Sequence, residues 1–112
     1  MISFKSKTKT FPGVDLAGLR PEMTPVLINL ERLFHDLGLE CVITSACGGK
    51  HGRGSLHYVG LALDFRTKTI KETRAKRRLV RDLRRALGRQ YDVLLESEGK
   101  RNEHLHVEFQ PK

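Results

Sequence analysis

Apolar residues recur at spacings of three and four along Met23, Val26, Leu27, Leu30, Leu33, Phe34 and Leu37. That period lines one face of an α-helix, with Pro21 or Pro25 suited to its first turn and Gly38 to the left-handed position past its end. His35 lies beside the stripe and reads as a surface residue. A second helical stripe, Leu79, Val80, Leu83, Ala86 and Leu87, runs through TRAKRRLVRDLRRALG and stops at Gly88. Between and after these helices, LECVITS, YVGLALDF, YDVLLE and HLHVEF are short, apolar and β-branched enough for strands, and GGKHGRGS offers a loop nothing apolar to bury. The first 20 or so residues, rich in Lys and Thr with Pro12-Gly13, read as an extended arm or edge segment. The last two strands are close enough for an antiparallel hairpin. The order predicts a small α+β domain, an antiparallel sheet with helices packed on one face.

Length and composition narrow the class. The chain has 112 residues, 38% of them hydrophobic and 30% charged, which fits one globular domain spanning 1–112. No run of 18 apolar residues is present, and MISFKSKTKTF lacks the apolar stretch of a secretory leader. A membrane-inserted or classically secreted protein is therefore not expected. Cys41 and Cys47 are too few for a disulfide framework and read as reduced structural thiols.

Charge is concentrated. Of 21 Lys and Arg against 13 Asp and Glu, ten bases and two acids fall between Lys68 and Arg89, so the whole excess of +8 sits on the second helix and its flanks. Arg77, Arg81 and Arg84 avoid the apolar stripe. Such a face suits an anionic polymer, whether cell wall, nucleic acid or lipid surface, or is simply solvated.

Four of the five histidines fall in two places, His51 and His57 around the glycine-rich loop and His104 and His106 on the last strand. A catalytic zinc site needs three His or carboxylate ligands and an open position. His104 and His106 share a face because the strand period is two, leaving Leu105, Val107 and Phe109 for the core. Gly60, Ala62 and Asp64 also share a face, placing small side chains beside one carboxylate, with Val59, Leu61, Leu63 and Phe65 on the core side. A buried Asp needs a partner, and a cation would serve. His57 and Asp64, seven residues apart, converge only if the chain bends near residues 58–60, which Gly60 permits.

Ser55-x-His57-x-x-Gly60-x-Ala62-x-Asp64 followed by His104-x-His106 resembles the M15 zinc peptidases. These are D-alanyl-D-alanine carboxypeptidases and dipeptidases and phage L-alanyl-D-glutamate endolysins, which share their fold with the amino-terminal signalling domain of Hedgehog. The match covers two blocks, roughly residues 43–66 and 91–109. The resemblance implies a Hedgehog/DD-peptidase-like fold with zinc on His57, Asp64 and His106, and His104 beside the metal or assisting catalysis. It implies a general base at Glu103, three residues before His106, or at Glu96, which closes the preceding strand. Parity slightly disfavours Glu103; Glu98 and Glu108 read as solvent or structural carboxylates.

One departure bears on substrate. Many relatives carry an arginine just after the Thr-Ser of the strand, where it grips the substrate; this chain continues Thr44-Ser45-Ala46-Cys47. Lys50 and Arg53 are the nearest cations, Arg66 follows Asp64, and Ser55 completes the substrate-side candidates. His51 reads as a loop histidine that could touch substrate, and Cys47 is surplus to the ligand set. The expected function is a monomeric zinc peptidase acting on peptidoglycan stem peptides. Its basic helix would rest on anionic wall polymer, and a phage or prophage product reaching the wall after release or in a virion is the expected setting. A non-catalytic zinc module of the same fold and a nucleic-acid-binding protein are the alternatives, the latter leaving the histidines unexplained.

Overall fold

A computed structural model of the protein describes residues 2–6, 13–48 and 51–111. In chain order the elements are β1 (Ile2–Phe4), α1 (Thr24–Asp36), β2 (Cys41–Ser45), β3 (Ala62–Arg66), α2 (Thr73–Leu87), β4 (Tyr91–Glu96) and β5 (His104–Phe109). Short 3-10 turns occupy Pro21–Met23 and Leu56–Val59. Among the described residues no helix is long and apolar enough to cross a membrane.

The strands form one sheet in the order β1-β2-β3-β5-β4. This is the expected α+β domain, with one difference: β1 pairs in parallel with β2, so the sheet is mixed. The reason is topological. The chain leaves β1, passes through α1 and re-enters the sheet as β2, and a crossover of that kind returns a strand in the same direction. The remaining pairs are antiparallel, including the β4–β5 hairpin.

Both helices lie over one face of the sheet. Val26, Leu30 and Phe34 of α1 and Leu79, Val80 and Leu83 of α2 share a core with Ile43, Leu63, Phe65, Val93, Leu105 and Val107. Alternation then sends Ala62, Asp64 and Arg66 of β3, and His104 and His106 of β5, to the other face. Register aligns them: Asp64 stands opposite His106 and Arg66 opposite His104, while Leu94 and Glu96 of β4 flank the same two histidines. The helix face is therefore the core, and the opposite face carries the polar rows.

The strand expected over 58–65 is only half a strand. Its first part is the turn Leu56–Val59, after which Gly60 takes φ 77°. Val59, expected in the core, is exposed. The left-handed glycine ends the turn, and its backbone is pressed so closely on residue 18 that a Cβ would sit 2.0 Å from the Gly18 carbonyl oxygen. That turn supplies the bend the sequence requires between His57 and Asp64.

Candidate metal centre

His57 enters the site from the 3-10 turn, which Ser55 caps by accepting the His57 backbone N–H on its Oγ at 3.2 Å. The ring is only 2% exposed. Its Nδ1 donates to the Ala46 carbonyl at 2.6 Å, and its Nε2 faces Asp64 Oδ1, 3.3 Å away. From β5, His106 brings Nδ1 to 2.8 Å from the same Asp64 oxygen, and Glu108 holds its Nε2 at 2.8 Å.

One possible ligand atom from each of His57, Asp64 and His106 lies within 4.8 Å of the other two. On a tetrahedral ion with ligand bonds of about 2.0–2.2 Å, neighbouring donors stand roughly 3.3–3.5 Å apart. The 3.3 Å separation matches that span, while the 2.8 Å one is about 0.5–0.7 Å short of it, so His106 Nδ1 and Asp64 Oδ1 would draw apart by about that much to share an ion. The back nitrogens fit as well. Metal-bound histidines ordinarily donate their other N–H to a carbonyl or carboxylate, and here Ala46 and Glu108 accept from His57 and His106. His57, Asp64 and His106 are thus a group that could hold a metal ion.

Electrostatics favours a positive charge among them. Burial by itself would raise the Asp64 carboxyl, yet the hydrogen bonds from His106 and His57 and the positive potential of the neighbouring histidines hold it well below the usual carboxylate range. Burial likewise opposes charge on His106, but the hydrogen bonds to Asp64 and Glu108 outweigh it and push its pKa up to about 9. The proton on His106 Nδ1 sits where a bound cation would replace it.

Beside this group, His104 donates from Nδ1 to the Asn102 carbonyl at 2.9 Å and turns Nε2 to Glu96 Oε1 at 2.9 Å and Asp64 Oδ2 at 4.0 Å. Asp64, Glu96 and His104 form a second potential ligand group, which shares its aspartate with the first. Glu103 is differently placed. Its side chain is 2% exposed and accepts from Thr67 Oγ1, the Gly99 amide and Lys76 Nζ at 2.7–2.9 Å. Burial is outweighed by these bonds, so the carboxyl stays below its ordinary value. It ties the β4–β5 turn to α2. Glu103→Ala, which strands Lys76 beside a cavity, is expected to lower stability by about 3–5 kcal/mol, read as a fall in the urea midpoint. A change under 1 kcal/mol would remove it from this structural role.

Of the substrate-side candidates, Ser55 is committed to the turn, Arg53 is exposed in the loop, and Lys50 lies outside the described residues. Arg66 lines a cleft of about 210 Å³ that opens onto Asp64 and His104. Lys5, Lys68, Arg101 and Thr44 line it too. Thr44 is the extra residue of a bulge, since Ile43 and Ser45 pair with consecutive Phe65 and Asp64.

Two roles carry little signal in the sequence. His51 stacks on the His57 ring at 4.0 Å, and its backbone is held by the Tyr58 hydroxyl, which accepts from His51 N–H and donates to His51 O. No local signal marks it. Glu108, read as solvent or structural, backs His106, and its position two residues along the same strand face was the available clue. Cys41 is buried, which pushes its thiol up to about 12, and Cys47 is half-buried; both are free thiols.

No protein-family model, curated protein or solved structure matches the chain.

Proposed function

We propose that the protein is a zinc-dependent peptidase acting on peptidoglycan stem peptides. The observation that carries this reading is the convergence of His57 Nε2, Asp64 Oδ1 and His106 Nδ1, with each histidine's other nitrogen already held from behind. Zinc bound there would supply Lewis-acid polarisation of a carbonyl and a water of lowered pKa, about 7. Glu96 is the carboxylate suited to take a proton from water, because Glu103 is enclosed by three partners while Glu96, among the described residues, is hydrogen-bonded only to the His104 ring. His104, held between Asn102 O and Glu96, can donate from Nε2 to the oxyanion that develops on the substrate.

The cleft beside them supports a carboxylate-bearing peptide. Arg66, Lys68 and Arg101 line it without an acidic partner among the described residues, and they offer the anion-binding role for which relatives use an arginine this chain lacks. The presence of Glu96 and His104 next to the ligand group favours an enzyme over a metal module kept only for stability.

Purified peptidoglycan incubated with the zinc-loaded protein should release peptide fragments by mass spectrometry, and a chelator should stop the release. Unaltered peptidoglycan in the presence of full zinc occupancy would leave only the non-catalytic module.

A further inference from the structure

We infer that the groove between α2 and the outer edge of β4 is a docking site for a linear phosphodiester polyol, the anionic polymer class of a cell wall. Among the described residues β4 is the last strand of the sheet, and none pairs with its outer side. Two adjoining cavities of about 460 and 560 Å³ share Arg84 and Leu94 and make one continuous groove along this edge. Arg77, Arg81, Arg84 and Arg85 form its wall over about 12 Å of helix. Val80 and Leu95 contribute an aliphatic floor suited to the carbon backbone of a polyol.

One arginine is fixed in advance. Arg84 donates from Nε and Nη2 to the Val93 carbonyl at 3.2 and 2.7 Å, so it holds its place on the strand edge before any ligand arrives. Arg77 and Arg81 are 69% and 62% exposed, and their acidic contacts, to Glu98 and Asp82, are long surface pairs of 3.4 and 3.3 Å that a polyanion can replace.

The lining disfavours single-stranded nucleic acid and a lipid surface. Single-stranded nucleic acid is held by stacking its bases on aromatic faces. The one ring bordering the groove, Tyr91, is packed against Phe109 and donates its hydroxyl to the Glu22 carbonyl at 2.6 Å. Among the groove residues Leu94 is the sole large apolar side chain that is exposed, too little for a lipid surface. Leu94 also stands two residues from Glu96, opposite His106, so a polymer in the groove runs beside the metal face. The choice of a wall polymer over other phosphodiester polyols rests on the peptidase reading above.

The test compares wild type with Arg77→Gln/Arg81→Gln/Arg85→Gln, leaving Arg84 on its carbonyl, and uses poly(glycerol phosphate) and a single-stranded oligonucleotide of equal charge as probes. Wild type should bind poly(glycerol phosphate), and the variant should lose at least about tenfold at ~50 mM salt and flatten the log K against log salt slope by roughly 2, at about 0.7 per lost contact. The triple Arg→Lys variant should recover most of the loss. Equal affinity of wild type and glutamine variant, or tenfold tighter binding of the oligonucleotide by wild type, overturns the inference. Zinc content and peptidoglycan digestion measured on the same preparations keep the two claims apart: polymer binding without digestion sinks the peptidase and leaves the groove.

Discussion

Replacing Asp64 by asparagine is expected to lower zinc affinity by more than about 100-fold, whereas Glu108→Gln should stay within the 10–100-fold usual for an outer-shell partner. The asymmetry follows from position. Asp64 Oδ1 faces both His57 Nε2 and His106 Nδ1, at 3.3 and 2.8 Å, so its charge is common to the whole group. Glu108 touches only the far nitrogen of His106. Competition against a chelating dye of known affinity would measure both variants. Equal, small losses would mean that the ion, if it binds, sits elsewhere.

The second large effect falls on turnover. Glu96→Gln should keep its zinc and lose about 10²–10⁴-fold in hydrolysis, the usual contribution of a general base. Glutamine is nearly isosteric and still accepts from His104, so the loss would report the missing proton acceptor rather than a displaced ring. Zinc content and initial rates on a soluble stem peptide are the two readouts. A variant with full zinc and wild-type rates would transfer the role away from Glu96.

The two helices were legible because their stripes are long and regular, and α1 and α2 start and stop near the expected prolines and glycines. The N-terminal segment read as an extended arm or an edge segment, and neither the short strand at Ile2–Phe4 nor its direction could be told from that reading. Three residues carry no pattern that distinguishes parallel from antiparallel pairing with a strand 39 residues away in sequence. The conflict of parity between His57 and Asp64 pointed to a bend before the structure located it at Leu56–Gly60. Residues 58 and 59 looked like strand because an aromatic followed by a β-branched residue suits either state over so short a run.

At the site, the period of two was enough to bring His104 and His106 to one face and to weigh against Glu103. It could not say that Glu103 would be enclosed by Thr67 and Lys76, because those contacts span 36 and 27 residues. The cationic cleft was hidden for the same reason: Lys5, Arg66 and Arg101 come from three separate regions of the chain. Only the sheet brings them together.

The most direct measurement is anomalous X-ray diffraction from crystals of the zinc-loaded protein, recorded on both sides of the zinc absorption edge. One zinc peak per chain, within about 2.0–2.2 Å of His57 Nε2, Asp64 Oδ1 and His106 Nδ1, is the expected result. A fully loaded protein with no peak at these three atoms, or with zinc bound only by Glu96 and His104, would contradict the assignment of the metal centre.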